Sequence, residues 1–396
     1  MPVSGSIEPW PLPAPPARPT VALTCADVSL LDLGQLLAGF AVLVVGGEVL
    51  VRGASGLARA VGLSPLVVGL TVVSFATSAP ELAVTLNAAA SGSPGLAVGN
   101  VVGSTIANVL LVLGTSALLT PLMVRSRVVR LDVPVMIAMS VAFLLLALDG
   151  SISTLDGALL LGALVVYVIR AILVSRRPRV PTTEQQQDGP EDDADHAPAP
   201  RPVWLYAGLV AGGVGILVLG ATLLVGSATR IGTALGISDL VIGLTVVAVG
   251  TSLPELATSL IAVRRGERDL AVGNIVGSNI FNIGAVLGLT AVLSGDGVPV
   301  AEAAIAFDLP VMVAVAVTLL PVVFTGLAVA RWEGVLFVGY YLAYTLYLLL
   351  DAAEHDALPR FSNVMLGFVI PLTVLTLALL SLGEFRRRAT ARAVRG

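Results

Sequence analysis

Apolar segments long enough to cross a membrane follow one another from residue 30 to residue 383. A helix needs about 20 apolar residues to span a bilayer core about 30 Å thick. The segments of this length are 30–50, 61–90, 96–120, 130–148, 153–173, 203–225, 237–263, 270–293, 303–325, 332–350 and 362–383. The pattern predicts an all-α polytopic membrane protein with about eleven transmembrane helices.

One peptide occurs twice, 174 residues apart, and each copy holds a glutamate within an apolar segment. The first copy, 69–108, begins GLTVVSFATSAPEL, and the second, 243–282, begins GLTVVAVGTSLPEL. Aligned without a gap, 24 of their 40 positions are identical. Each half holds five helices, an odd number, so the second copy enters the membrane from the opposite side, as in many secondary transporters. The fold is therefore predicted to be two inverted five-helix repeats plus an additional C-terminal helix.

The polar stretches divide the chain into five parts. They are a disordered Pro-rich tail (1–27), the first repeat (28–173), an acidic linker (174–202), the second repeat (203–351), and an additional helix with a basic tail (352–396). All 22 basic residues are arginines, and 19 of them lie in cytoplasmic connectors if the N-terminus is outside. The positive-inside rule therefore predicts an external N-terminus, a cytoplasmic linker and a cytoplasmic C-terminus.

Composition narrows the classes of function. With 56% hydrophobic residues the chain is too apolar for a soluble protein. The single cysteine, Cys25, excludes a disulfide framework or thiolate cluster, and both histidines, His196 and His355, lie in hydrophilic connectors. Because no nucleophile and base lie near the two glutamates, an enzyme is the least expected class. We expect no resident cofactor, nucleic acid or protein partner, and the lipid bilayer as the surroundings.

The duplicated glutamates are expensive residues for a membrane helix and require an explanation. Helical spacing places two hydroxyls and one carboxylate on one face of each helix. The two sets are Thr77, Ser78 and Glu81, and Thr251, Ser252 and Glu255. Hard oxygen donors of this kind suit Ca²⁺ and Na⁺. The structural alternatives are a protonated or snorkelling glutamate and hydroxyls bonded to their own helix.

Two further features add oxygen atoms to each copy. Pro80 and Pro254 each remove an N–H, which leaves the carbonyl four residues earlier, at Ala76 or Gly250, available as a ligand. The third and eighth helices carry two more polar pairs at i, i+4 spacing. These are Ser104 with Asn108, and Ser278 with Asn282. Hydrogen bonding between helices is the structural alternative for these pairs.

Three other acidic residues are given structural interpretations. Glu48 has Arg52 one turn later, which favours a surface ion pair. Asp132 and Asp308 each precede a proline by two residues, so a helix N-cap is favoured for both over ion binding.

The motifs SAPEL with GNVVGSTIAN, and GTSLPEL with GNIVGSNIFN, resemble the alpha-repeats of the calcium/cation antiporter family. The chain looks most similar to prokaryotic sodium/calcium exchangers over about residues 30–350. The resemblance implies that the second, third, seventh and eighth helices surround one Ca²⁺ site and several Na⁺ sites. The side-chain ligands that it implies are Thr77, Ser78, Glu81, Ser104, Asn108, Thr251, Ser252, Glu255, Ser278 and Asn282. The backbone carbonyls of Ser74 and Ala248 would join them.

The resulting hypothesis is an alternating-access antiporter that exchanges Na⁺ for Ca²⁺, is electrogenic and extrudes Ca²⁺ across the plasma (inner) membrane of a prokaryote. The first and sixth helices would slide across the central cluster. Potassium-dependent relatives carry aspartate where this chain has Asn282, and proton-driven relatives tend to have a glutamate in the Gly-Asn motif, which favours Na⁺ coupling here. H⁺ or K⁺ coupling and Mn²⁺ or Mg²⁺ transport stay open as alternatives, as does a cation channel from another class.

Overall fold

The computed structural model describes residues 29–175, 202–235, 248–324 and 326–395. The predicted tail (1–27), nearly all of the predicted linker (174–202) and the first part of the predicted seventh helix lie outside the described residues.

The first half of the chain forms five apolar helices, of which the second is broken. They are α1 (Leu30–Val61), α2 (Pro65–Thr77 followed by Ala79–Ala90), α3 (Pro94–Leu119), α4 (Val128–Asp149) and α5 (Thr154–Ser175). Two short strands, β1 (Leu122–Met123) and β2 (Ser151–Ile152), lie at the two ends of α4.

The second half follows the same order. Its helices are α6 (Val203–Ala234), α7 (described over Ala248–Gly250 and Leu253–Arg264), α8 (Arg268–Leu293), α9 (Ala304–Phe324), α10 (Arg331–Ala352) and α11 (Leu358–Leu380, continuing within Ile370–Arg395). The strands are β3 (Val298–Pro299) and β4 (Ala328–Val329). Within the described residues, nine helices and the bent pair of α2 are long and apolar enough to cross a membrane. They correspond to ten of the eleven predicted spans, and α7 is the span that is only partly described.

Helices α1 and α6 are longer than the sequence predicts. Their apolar runs were expected to end at residues 50 and 225, but the helices continue to Val61 and Ala234. Charged residues interrupt the apolar run of α1 without interrupting its backbone hydrogen bonds. The helix ends where Gly62 adopts φ 67°, a left-handed conformation that glycine tolerates best.

Short strands join the two halves of the chain at opposite faces of the molecule. Antiparallel pairing places Leu122 of β1 opposite Val329 of β4, and Ile152 of β2 opposite Val298 of β3. Because β1 and β2 lie at the two ends of α4, the two strand pairs lie on opposite faces. Strand β3 follows α8 as β1 follows α3, yet β3 lies on the face opposite to β1. If the two copies are inverted in the membrane, corresponding connectors such as β1 and β3 must lie on opposite faces, as they do here.

The middle of the molecule is formed by the helices that carry the duplicated peptide. Inside the protein, 89% of the residues in the apolar part of α8 are buried and 72% of those in α3, against 28% in α5 and α6. Helix α11 is peripheral, with 6% buried. The polar motifs therefore lie at the centre of the helix bundle, away from the surfaces that face lipid.

Candidate functional site

Helix α2 is broken next to its glutamate. Its first part contains a π-helical segment, Gly69–Val73, and ends at Thr77. Ser78 then leaves the helical conformation with φ −82° and ψ 2°, and the two parts meet at an angle of 41°. Pro80 lacks an N–H, so the Ala76 carbonyl loses the amide that would normally bond to it. Glu81 lies in the first turn after the break, where the helix dipole favours negative charge.

The described part of α7 has the same break. Ser252 has φ −88° and ψ 4°, and the helix restarts as Leu253–Arg264 with Pro254 in its first turn. Glu255 occupies the same first-turn position as Glu81. The interruption predicted from the two prolines is thus present in both copies.

Both site asparagines begin a π-helical segment. Asn108 is the first residue of Asn108–Leu113 in α3, and Asn282 is the first residue of Asn282–Leu287 in α8. A π segment inserts one extra residue into the helical turn, is uncommon, and often marks a functional position. The repeat therefore preserves an irregular backbone as well as the residue type.

The site is closed from solvent. The side chains of Glu81, Glu255, Thr77, Asn108, Asn282 and Ser278 are fully buried, and Ser74, Ser78, Ser104 and Ser252 are nearly so. Thr251 is the half-buried member of the predicted set. A buried carboxylate without a compensating charge costs several kcal/mol even after relaxation, so the two glutamates need a cation or a proton.

The central polar atoms have no partner within the described part of the protein. Both carboxylate oxygens of Glu81 and Glu255, both amide atoms of Asn108 and Asn282, and the hydroxyls of Ser78 and Ser252 make no hydrogen bond. Over the same described residues, no three His, Cys, Asp or Glu side chains form a cluster. The site therefore offers two negative charges among neutral oxygens, a donor set that fits a hard cation.

Hydroxyl pairs connect the two copies. The Thr77 Oγ1 of α2 lies 3.4 Å from the Ser278 Oγ of α8, and the Thr251 Oγ1 of α7 lies 3.4 Å from the Ser104 Oγ of α3. Each contact is the repeat counterpart of the other. These four predicted residues thus meet in pairs between the two copies.

The two predicted backbone ligands have different surroundings. The Ser74 carbonyl accepts a hydrogen bond from the Ser78 N–H at 3.0 Å, and the Ser74 hydroxyl donates to the Asn274 carbonyl at 3.0 Å. In the second copy the Ser252 N–H donates to the Val249 carbonyl at 3.1 Å, one residue beyond Ala248. The backbone near the break is therefore less symmetric than the side chains.

Sequence reasoning missed two asparagines that position the site. The Asn274 Nδ2 donates to the Ser259 hydroxyl at 3.2 Å, and its Oδ1 accepts from the Thr77 hydroxyl at 3.2 Å. The Asn100 Nδ2 donates to the Thr85 hydroxyl at 2.9 Å and to the Glu81 carbonyl at 3.2 Å. Their repetition within the Gly-Asn motifs was the signal that could have identified them.

The N-cap interpretation of two aspartates is wrong. Asp132 has helical φ and ψ and caps nothing, because α4 already begins at Val128 in π-helical form. Its carboxylate accepts a hydrogen bond from the Tyr167 hydroxyl at 3.0 Å. Asp308 likewise accepts from the Tyr344 hydroxyl at 2.9 Å. Both aspartates therefore bind a tyrosine on the next helix in the chain.

The predicted pair of Glu48 and Arg52 is present, with a distance of 2.9 Å. A second arginine joins it, since Arg265 Nε lies 2.8 Å from Glu48 Oε2. Arg265 belongs to the turn between α7 and α8, so Glu48 also connects α1 to the central helices.

Comparison with known proteins shows which of them this chain resembles. The sequence pattern described as sodium/calcium exchanger protein matches residues 31–173 and 205–350, which leaves α11 outside. The putative antiporter CaxA of Alkalimonas amylolytica is 40% identical over 271 residues, which cover 68% of this chain and 82% of CaxA. The inner membrane protein YrbG of Escherichia coli is 39% identical over 267 residues, covering 67% and 81%.

A solved structure has the same fold. The sodium-calcium exchanger NCX_Mj, soaked with 10 mM Na⁺ and zero Ca²⁺, superposes with a TM-score of 0.66 at 30% identity, and the match covers 79% of this chain and 97% of that one. Sequence pattern, relatives and fold agree on one family. The chain is an integral membrane protein that belongs to the sodium/calcium exchanger family.

Proposed function

We propose that this chain exchanges Na⁺ for Ca²⁺ by alternating access at the single site between its two copies. The observation that carries the proposal is the symmetric set of buried polar atoms without partners around Glu81 and Glu255. Calcium takes six to eight oxygen ligands, including carboxylates, amide oxygens and backbone carbonyls. A site with two carboxylates and many neutral oxygens meets that requirement, and the NCX_Mj relative is named for sodium and calcium.

The proposed ligands are those of the four central helices. They are Glu81, Glu255, Thr77, Ser78, Ser104, Asn108, Thr251, Ser252, Ser278 and Asn282, with the carbonyls of Ser74 and Ala248. The ions are transported substrates, and the proposed cycle needs no resident cofactor.

Charge explains why the two ions would exclude each other. Two glutamates neutralise one Ca²⁺ or two Na⁺, so both kinds of ion compete for the same carboxylates. A further Na⁺ on the neutral oxygens would leave one net positive charge on the Na⁺-loaded site. Moving that charge is worth about 2.3 kcal/mol per 100 mV, which favours Ca²⁺ extrusion from a cell that is negative inside.

The packing of α1 against α6 supports a sliding movement. The two helices are antiparallel and approach closely at glycines, since a Cβ atom on Gly46 would lie 2.8 Å from the Leu217 N. They can therefore move together across α2, α3, α7 and α8. The Glu48–Arg265 ion pair connects α1 to the turn between α7 and α8, so it would change during that movement.

The proposed location is the plasma membrane of a prokaryote, with the N-terminus outside. The relative YrbG is an inner membrane protein. In this orientation 19 of the 22 arginines lie on the cytoplasmic side.

Flux in proteoliposomes tests the proposed function. Vesicles loaded with Na⁺ and diluted into Na⁺-free buffer are expected to accumulate ⁴⁵Ca²⁺, and collapse of the Na⁺ gradient by an ionophore should abolish uptake. A valinomycin-clamped potential, positive inside the vesicle, should change the rate if the cycle carries charge.

The same vesicles separate the alternatives. Uptake driven by a pH gradient without Na⁺ would show coupling to H⁺, and uptake that requires added K⁺ would show coupling to K⁺. Uptake of ⁵⁴Mn²⁺ in preference to ⁴⁵Ca²⁺ would identify Mn²⁺ as the substrate. Single-channel currents without coupling would contradict the exchange mechanism itself.

A further inference from the structure

A cavity of about 500 Å³ lies between α9, α10 and α11. Aliphatic and aromatic side chains form most of its wall, and Leu110 of α3 closes it toward the centre of the protein. Its size falls within the range of pockets that hold small ligands, about 300 to 1,000 Å³. The additional helix α11, which lies outside the residues matched by the family, supplies one wall.

The cavity is long and runs with the helices. Its lining extends along α10 from Leu336 to Tyr347 and along α11 from Phe361 to Leu377. At 1.5 Å per residue these stretches are about 16 Å and about 24 Å long. Stacked rings of Phe307 and Tyr347, with centroids 4.2 Å apart, form part of one end. An elongated space of this kind, parallel to membrane helices, is suited to a linear chain.

Four of the six hydroxyl groups in the wall already have partners. The Tyr340 hydroxyl lies 2.7 Å from the Thr373 hydroxyl, and the Tyr344 hydroxyl donates to Asp308 at 2.9 Å. The Thr318 hydroxyl donates to the Ala314 carbonyl at 2.8 Å. A polar ligand or water would find little to bond with there, because a buried water needs two to four polar partners.

We propose that one acyl chain of a membrane phospholipid occupies this cavity. The three helices that surround it are apolar spans, so lipid tails are the surrounding solvent and the available apolar molecules. The chain would contact Leu110, which belongs to the π segment that begins at the site residue Asn108. A bound lipid would thus join α11 to the core beside the ion site. The proposal does not depend on which ions the site transports.

The test uses purified full-length protein and phosphatidylcholine with a photoreactive diazirine at the end of one acyl chain. Ala314→Phe fills the cavity from α9, and Ala343→Phe fills it from α10. Val317→Phe is the matched control, because Val317 is exposed on α9 and does not line the cavity. Mass spectrometry maps the cross-linked peptides, and native mass spectrometry counts the phospholipid that stays bound in detergent.

Wild-type protein and Val317→Phe are expected to retain one phospholipid and to cross-link in the lining stretches of α9, α10 and α11. Both filling variants should lose the bound lipid and these cross-links while keeping a wild-type melting temperature. If one of the two filling variants has a lowered melting temperature, the conclusion rests on the bound lipid and cross-links of the other. Equal retention in all four proteins, or cross-links spread evenly over every lipid-facing surface, would overturn the proposal.

Discussion

Individual side chains show why the centre of the protein is unusual. Each of the two copies buries a carboxylate, an amide and a serine hydroxyl whose polar atoms have no partner within the described residues. Leaving a neutral buried polar group unpaired costs about 1–3 kcal/mol, and a charged one costs more. Such a set is stable when a ligand supplies the missing interactions. Under the proposed function, that ligand is Ca²⁺ or Na⁺.

The positioning role of Asn274 leads to a prediction. Asn274→Ala removes the amide between the Thr77 and Ser259 hydroxyls, two fully buried side chains. Leaving both hydroxyls without that partner is expected to cost about 1–3 kcal/mol, to lower the melting temperature and to weaken Ca²⁺ binding. Asn87→Ala is the control, since Asn87 is exposed on α2. Unchanged stability and Ca²⁺ affinity in Asn274→Ala would contradict the assigned role.

At the residue scale, the repeat predicted which acids occupy the middle of the protein and left their contacts unpredicted. Duplication identified Glu81 and Glu255 because few structural roles require the same buried acid twice. Asn274 was missed because a Gly-Asn pair at the start of a helix indicates nothing about the hydroxyls it reaches on other helices. Asp132 was misinterpreted because its neighbouring proline is typical of a helix start, whereas a π-helical turn places the start four residues earlier.

Helices α1 and α6 need small residues where they touch, because their backbones approach each other closely. Glycines recur on both helices where backbones meet, and a Cβ atom on Gly213 would lie 2.7 Å from the Leu50 N. Small residues at such positions let membrane helices approach and gain van der Waals contact. The pair can then act as one rigid element.

Two neighbouring glycines of α6 should respond differently to the same substitution. Gly213→Ala forces the helices apart and is expected to destabilise the protein by about 1–3 kcal/mol. Gly212→Ala meets no atom within 4 Å and should be neutral or stabilising by up to about 1 kcal/mol, the usual gain from replacing a helical glycine. Thermal unfolding in detergent measures both. Equal melting temperatures would show that α1 and α6 are not packed through Gly213.

Sequence predicted the existence of helices better than their ends and irregularities. Apolar runs located ten of the eleven expected spans in the described residues, and the two prolines predicted both breaks. The predicted span ended too early for α1 because a helix continues through charged residues such as Arg52 and Arg59 when it extends to the membrane surface. The π segments were not predicted, because a change from i−4 to i−5 hydrogen bonding leaves no distinct apolar pattern.

For the whole molecule, the strand pairs carry the evidence for inversion. The membrane orientation predicted from arginines places β1 and β4 on the cytoplasmic side, and β2 and β3 outside. The structure independently pairs β1 with β4 and β2 with β3. Sequence alone predicted the inversion from an odd helix count, but it could not predict which connectors meet.

Engineered cysteines test this arrangement in a Cys25→Ser background. Antiparallel partners have Cα atoms about 4.5–5.5 Å apart, within the range for a disulfide. The pairs Leu122→Cys with Val329→Cys, and Ile152→Cys with Val298→Cys, are therefore expected to cross-link, as read by mass spectrometry of tryptic peptides. Exposed neighbours report the side of the membrane: in intact cells, an impermeant thiol reagent should label Pro299→Cys of β3 and leave Met123→Cys of β1 unlabelled.

The control combines one strand from each face. Leu122→Cys with Val298→Cys should give no intramolecular disulfide, because these positions lie on opposite sides of the membrane. A cross-link in that variant, or equal labelling of Pro299→Cys and Met123→Cys in intact cells, would be incompatible with inverted halves.

The central claim is that one Ca²⁺ is held jointly by the two copies, and equilibrium binding of ⁴⁵Ca²⁺ to purified protein in Na⁺-free buffer tests it most directly. Wild-type protein and the exposed control Glu302→Gln should bind one Ca²⁺ per chain, whereas Glu81→Gln and Glu255→Gln should each lose binding while remaining folded. One Ca²⁺ bound with wild-type affinity by either single variant would contradict the shared site.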